Sequence, residues 1–294
     1  WVSAIPDLAA ARDRNRSASC QWFYRLVSIQ WRGTPKQWRV LRTAISVLGG
    51  LYFMFLIFAH TVVSFDFAQS LVPGMRDSIF PTWHALSGIQ AGLATVLVTA
   101  FVVRLFGGLK EYIGINQFWS MGKLLLASSL LWAYFWWSGF IVLWYGKMPT
   151  EELIMQLMWF GPYRTLFLTT FALCFLVPFL ALIWNPVRKS ILGPTLVAVA
   201  VLVGTFIDRI RIYVSSYSAG DPTAHSLASV PEAVFPGTAD IMMILGAIGA
   251  VILLYLLALK IIPIINIWET KEGLILQHVG ALKKIPLKVL GKPE

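Results

Sequence analysis

Two histidines and one aspartate, residue types suited to proton exchange, flank the link between two long apolar stretches. His60 and Asp66 lie at the end of the first stretch, and His84 lies at the start of the second. A carboxylate at the edge of a membrane-length helix is costly unless it is paired or used in function. Because imidazole exchanges protons near neutral pH, these three residues predict proton transfer at one membrane surface.

The two histidines also allow a second interpretation, in which they hold a haem between neighbouring helices. Low-spin haem iron needs two facing imidazoles, and His60 and His84 are expected at similar depth. Both lie near the membrane surface, however, and no other haem-pocket signal accompanies them. Cys20 and Cys174 are too few and too far apart for an iron–sulfur cluster or a structural zinc. We therefore expect no covalent or metal-ligated cofactor in this chain.

The composition indicates that the helices carrying these residues lie in lipid. The chain is 57% hydrophobic and only 13% charged, whereas soluble domains carry roughly 25% charged residues. The net charge of +10 does not indicate nucleic-acid binding, because the basic residues lie in loops and tails between the apolar segments. Lipid is the expected surrounding.

Six segments have the roughly 20 apolar residues that a membrane-spanning helix needs. We predict an all-α polytopic membrane protein, a helical bundle with six transmembrane helices in this chain. The residues before Asn15 resemble the inner end of an earlier helix, which predicts an eight- to ten-helix protein with helices before Trp1. The six predicted segments are 43–63, 83–106, 123–145, 163–184, 191–214 and 240–262.

The distribution of basic residues predicts the orientation of the helices. Of the 24 Lys and Arg residues, 19 fall on one side of the six segments, and basic loops stay in the cytoplasm. Residues 1–42 are thus a cytoplasmic basic segment, 43–262 the membrane domain, and 263–294 a cytoplasmic basic tail. We expect both ends of this chain to be cytoplasmic.

The fifth segment brings further charges to the predicted outer surface. Asp208, Arg209 and Arg211 lie near its outer end, at the depth predicted for His60 and Asp66. Asp208 and Arg211 could form only an i, i+3 ion pair. Arg209 could instead keep Asp66 ionised or bind a ligand oxygen, which lowers the cost of burying both charges.

Small and hydroxyl residues at helical spacing allow two interpretations. Ser87 and Thr95 follow His84 on one predicted helix face, and Tyr134 lies on a face of the third segment. Such residues usually mark close helix packing. They could also form, with Asp208 and Arg211, a path that carries protons.

Five motifs give the chain a resemblance to a known family. They are HTVVSFDFAQSLVPGMRDSIFP, LWYGKMPTEE, FGPYRTLF, WNPVRKS and DRIRIYV. From about Ile5 to Glu269 the chain resembles membrane subunits of the polysulfide reductase/NrfD-like family, and particularly those of bacterial alternative complex III. The resemblance implies a cofactor-free helical bundle in a bacterial cytoplasmic membrane, which oxidises or reduces quinol, either menaquinol or ubiquinol, at its outer surface.

The resemblance also implies partners and site residues. Expected partners are an extracytoplasmic iron–sulfur or molybdopterin-type subunit, a paralogous membrane subunit, haem c subunits and lipid, but no nucleic acid. The family's quinol-site acid and its partners would match Asp66, His60 and Arg209, with His84 beside them. The family usually has a glutamate shortly before WYG, where this chain has Gly139. That departure argues against a proton path through the third segment.

These observations favour a quinol-interacting membrane subunit of a respiratory or photosynthetic complex, with possible proton translocation. Asp66 and His60 would be the catalytic proton acceptors while electrons pass to a partner's cluster. A structural anchor or proton-path paralogue without its own quinol site remains an alternative. A secondary transporter is a third, although such proteins place their sites near the bilayer midplane.

Overall fold

The computed structural model describes residues 1–14, 18–275, 277–282 and 285–290. Helices dominate this part of the chain, and two strands form a hairpin in the predicted tail. The helices are α1 (Ile5–Arg14), α2 (Ala18–Val27), α3 (Pro35–Phe67), α4 (Phe80–Phe106), α5 (Ile115–Gly146), α6 (Pro149–Met155), α7 (Arg164–Phe171), α8 (Val177–Leu182), α9 (Asn185–Arg188), α10 (Leu192–Tyr217), α11 (Thr238–Leu259) and α12 (Ile267–Ile275). The antiparallel strands are β1 (Gln277–Leu282) and β2 (Ile285–Leu290).

Within the described residues, five helical spans are long and apolar enough to cross a membrane. They are α3 with the turn that follows it, α4, α5, the run from Arg164 to Leu182, and α11. This confirms the prediction of an all-α polytopic membrane protein. The predicted count of six is not confirmed, because α10 covers the fifth predicted segment but is not among these five.

The chain divides into two compact units, and the larger one, Phe53–Phe235, contains all of the predicted site residues. Its helix α10 packs against α4, α7 and α8, while α5 packs against α4 and α8. Helix α10 thus lies at the centre of a bundle. Its Gly204 allows close packing, because a Cβ there would lie 2.7 Å from the Leu173 side chain.

The predicted fourth segment is not one regular helix. A π-helical turn, Ala172–Leu176, lies between α7 and α8. Such turns disturb the regular backbone ladder, and backbone groups in lipid need a partner inside the protein. The buried side chain of Gln90 on α4 supplies one, since its amide nitrogen donates to the carbonyl of Cys174 at 2.9 Å and to the Ser129 hydroxyl at 2.8 Å.

The smaller unit combines Trp1–Tyr52 with Pro236–Glu294. In it, the buried carboxylate of Asp7 on α1 accepts the backbone N–H groups of Ile267 and Trp268. These groups open α12, so Asp7 caps a helix that lies far away in the sequence. The Trp268 indole also donates to the carbonyl of Ser3 at 2.7 Å. Both ends of the chain are therefore joined within this unit.

Candidate functional site

Three ring side chains from three helices form one line of hydrogen bonds inside the larger unit. The Nδ1 atoms of His60 on α3 and His84 on α4 lie 3.1 Å apart. The Nε2 atom of His84 lies 2.9 Å from the hydroxyl oxygen of Tyr213 on α10. Both ring nitrogens of His84 are thus engaged, while no described residue bonds Nε2 of His60.

The contact between His60 and α4 depends on a glycine. A Cβ atom at Gly88 would lie 2.6 Å from both Cε1 and Nε2 of His60, which is closer than such atoms approach. The missing side chain therefore makes room for the imidazole ring against the helix. His84 is fully enclosed, whereas His60 is half-buried. The line of hydrogen bonds thus passes through the enclosed imidazole of His84 and ends at two partly exposed side chains, His60 and Tyr213.

Arg209 on α10 adds a positive charge to this group. Its Nη2 atom donates to the backbone carbonyl of His84 at 2.9 Å, and it lies close enough to both imidazoles to act on them electrostatically. Its Nη1 atom is buried and has no hydrogen-bond partner among the described residues. Buried donors are nearly always paired. We call His60, His84, Arg209 and Tyr213 the imidazole cluster.

Asp208 and Arg211, three residues apart on α10, form an ion pair. Oδ1 of Asp208 lies 2.8 Å from Nη2 and 3.2 Å from Nε of Arg211, and both side chains are at most 1% exposed. Nη1 of Arg211 donates to the carbonyl of Met158. The i, i+3 pairing expected for these residues is therefore present, in a fully buried setting.

Asp66 does not join the imidazole cluster. Its side chain is exposed, and the bond found at this residue is from the Ser70 hydroxyl to its backbone carbonyl. The expected pairing of Asp66 with Arg209 is not formed, because the guanidinium is directed to the carbonyl of His84 instead. The structure brings together His60, His84 and Arg209, but places the predicted catalytic aspartate apart from them.

The predicted proton-path residues fall into two groups. Ser87 is buried like Asp208 and Arg211, and its hydroxyl oxygen has no partner among the described residues. Thr95 and Tyr134 are instead exposed on the bundle surface, where the Thr95 hydroxyl bonds the carbonyl of Ala91. A path through the bundle interior could thus use the first group but not the second.

Three polar residues of this region were not singled out from the sequence. Tyr213 lies four residues after Arg209, within the motif DRIRIYV, so its helical spacing was a usable signal. Gln90 is a polar amide within an apolar helix, which marks an interior position. Asp77 lies in the link before α4 and resembled an ordinary loop residue.

The geometry also bears on the haem interpretation. Two axial imidazole nitrogens of one iron stand about 4 Å apart on opposite faces of the macrocycle, given metal–nitrogen distances of about 2 Å. The two Nδ1 atoms here are 3.1 Å apart in direct contact, and the ring centroids are separated by 5.1 Å. In this arrangement no macrocycle fits between the rings.

Comparison with known proteins adds no assignment to this geometry. No protein-family model matches the chain, and no curated protein matches it significantly.

Proposed function

We propose that the chain is a quinol-interacting membrane subunit, and that the imidazole cluster is its proton-accepting site. The observation that carries the proposal is the hydrogen-bonded line from half-buried His60 through His84 to Tyr213. Quinol oxidation releases two protons with two electrons, so a quinol site needs an acceptor linked to further acceptors. A line of neutral groups inside a helical bundle supplies such a link.

One arrangement of protons fits every contact in the line. If Nδ1–H of His60 donates to Nδ1 of His84, then Nε2–H of His84 donates to the oxygen of Tyr213. Nε2 of His60 is then an unprotonated acceptor, able to bond the hydroxyl of a quinol. When Nε2 of His60 takes up a proton, Nδ1 of His60 passes its proton to Nδ1 of His84. Nε2 of His84 then passes its proton to the oxygen of Tyr213, and the partly exposed Tyr213 hydroxyl releases its own proton to water.

Arg209 would bind an oxygen atom of the quinol. Its unpartnered Nη1–H is a donor suited to the developing negative charge on a quinol oxygen. The electrons would pass to an iron–sulfur or molybdopterin-type partner on the outer side, in a complex with a paralogous membrane subunit and haem c subunits. Neither menaquinol nor ubiquinol is favoured by these residues.

The test is quinol binding and turnover in the purified membrane complex, reconstituted in lipid nanodiscs. His84→Asn should lower quinol oxidation about 100-fold, because an amide cannot relay protons between the two neighbours. Thr95→Val, an exposed change on the same helix, is the matched control and should behave as the wild type. Unchanged turnover and quinone-analogue binding in His84→Asn would refute the proposal and favour a structural anchor.

A further inference from the structure

A small cavity lies between the beginning of α4, α5, α10 and the segment after α6. Its walls are mostly aromatic and apolar, but Asp77 and Arg211 both line it. It has room for about one or two water molecules. The cavity therefore suits water and protons, and is too small for a quinone ring.

Two unpaired donors line the same cavity. The indole nitrogens of Trp83 and Trp136 are buried and have no hydrogen-bond partner among the described residues. Trp83 is only 5% exposed, so bulk solvent does not reach its N–H group. Because an unpaired buried donor costs about 1–3 kcal/mol, water in the cavity is the expected partner.

Asp77 uses only one of its carboxylate oxygens to hold the fold. Oδ1 accepts the backbone N–H groups of Ile79 at 2.8 Å and Phe80 at 3.2 Å, which pairs two N–H groups at the start of α4. Oδ2 lies against Gly139, where a Cβ would be 3.5 Å away. Gly139 also lines the cavity, and its missing side chain leaves space there for Oδ2 of Asp77.

Asp77 also reaches the protein surface. It lines an open groove together with the neighbouring residues Phe65, Gln69, Ser70, Met75, Arg76 and Ser78. Burial raises the pKa of the Asp77 carboxyl, and the two backbone N–H bonds oppose this only in part. In the described chain, the other charged groups lining the cavity or the groove are Arg211 and Arg76.

We propose that Asp77 is a proton-exchange carboxylate that connects the buried cavity at Arg211 with the surface groove. A protonated cavity water gives its extra proton to Oδ2, so one of its O–H bonds breaks as the O–H bond at Oδ2 forms. The bond at Oδ2 then breaks when the proton passes to a water molecule in the groove, which becomes protonated in turn. The carboxylate returns to its starting state, so no oxidant or second reactant is needed. That these protons come from quinol rests on the proposed function, but proton exchange at Asp77 is independent of it.

The test is infrared spectroscopy of the full chain in nanodiscs during a pH titration. The wild type should show one carbonyl band of a protonated carboxyl that disappears only at a pH above that at which the exposed carboxyls ionise, and Asp77→Asn should abolish this band. Burial raises the pKa of Asp7 as well, so Asp7→Asn identifies the band of that second carboxyl. Asparagine caps helices as well as aspartate does, so α4 should stay intact. Asp66→Asn removes an exposed carboxylate and is the matched control, in which the band should remain.

Each other outcome decides the question. Persistence of this band in Asp77→Asn, or its absence from the wild type, overturns the proposal whatever the quinol activity. If Asp77→Asn and Asp77→Ser, both good caps, fail to fold, Asp77 is structural and the proposal also fails. If the band titrates as expected but the complex does not oxidise quinol, Asp77 exchanges protons and the proposed function is wrong.

Discussion

Helix α10 carries two polar groups that differ in how completely their hydrogen bonds are used. In the Asp208–Arg211 pair, every guanidinium nitrogen has a partner and both side chains are enclosed, while Oδ2 of Asp208 has no partner in the described chain. In the imidazole cluster, Nη1 of Arg209 has no partner in the described chain, and His60 is half-buried. Each group thus leaves one buried atom unpaired, but only the second includes a partly exposed side chain, His60, whose Nε2 has no partner in the described chain.

The difference indicates that charge alone does not mark a binding site in a membrane bundle. A buried ion pair is strongly destabilised when one partner is removed, yet can be replaced as a whole by apolar residues. Substitutions in a cluster whose hydrogen bonds are incomplete should cost little stability but should lower its activity. We therefore expect variants of the two groups to separate stability from activity.

The largest effect is expected at the ion pair. Arg211→Met leaves the Asp208 carboxylate buried without its partner and should lower the free energy of unfolding by about 3–5 kcal/mol. Chemical unfolding of the protein in detergent micelles measures this. The double variant Asp208→Leu/Arg211→Met should regain most of that stability, and a double variant as unstable as the single one would contradict this view of the pair.

A smaller free-energy change, confined to activity, is expected at the imidazole cluster. His60→Gln retains a polar contact to His84 but cannot pass a proton on, and should slow quinol oxidation about 100-fold, equivalent to about 2.7 kcal/mol. Steady-state turnover against quinol concentration measures this, with unfolding as the stability control. A loss of stability as large as that of Arg211→Met would place His60 with the structural residues.

A pH-dependent effect on stability is expected at Asp77, which lies outside the membrane-spanning segments. Because burial raises its pKa above the ordinary 3.8, the folded state binds the proton more tightly than the unfolded state. This stabilisation is fully present below the unfolded pKa and is lost as pH rises through the folded pKa. Relative to Asp77→Asn, the wild type should thus become less stable across that window.

Unfolding midpoints of both proteins at a series of pH values measure this difference. Asp66→Asn again serves as the control, and its midpoints should run parallel to those of the wild type. A constant difference between wild type and Asp77→Asn would show that the Asp77 carboxyl does not change its proton binding on folding.

The smallest effect is expected at Asp66. Its side chain is exposed and apart from the imidazole cluster, so Asp66→Asn should change stability by less than about 0.5 kcal/mol. Quinol turnover should stay within twofold of wild type, measured in the same nanodiscs. A sharp loss of turnover would return Asp66 to the catalytic role that the sequence predicts.

The apolar runs were enough to predict the helices, because lipid restricts a spanning chain to helix. The long helices α3, α4, α5 and α10 lie where the predicted segments do, with added turns at their ends. The irregular run through α7 and α8 was not predictable from hydropathy. Its π-helical turn depends on contacts such as that of Gln90, which come from another helix.

The site was only partly predictable, and helix geometry explains which part. Residues facing one neighbour repeat every three or four positions, so His60 and Asp66, six apart, point about 120° away from each other. Asp66 was predicted as a site residue because it is close to His60 in the sequence. The rotation along α3 directs its side chain away from the imidazole cluster. Thr95 shares the predicted face of His84, but the sequence could not show whether a neighbouring helix covers that part of the face.

The capping of α12 by Asp7 has a consequence for how the protein is made. The bond from Ile267 to Asp7 joins residues 260 positions apart, and chains are synthesised at roughly 5–20 residues per second. Helix α1 therefore waits on the order of tens of seconds on the ribosome before its partner exists. During that time the Asp7 carboxylate has no helix to cap, so this contact can form only after residues 267 and 268 have been synthesised.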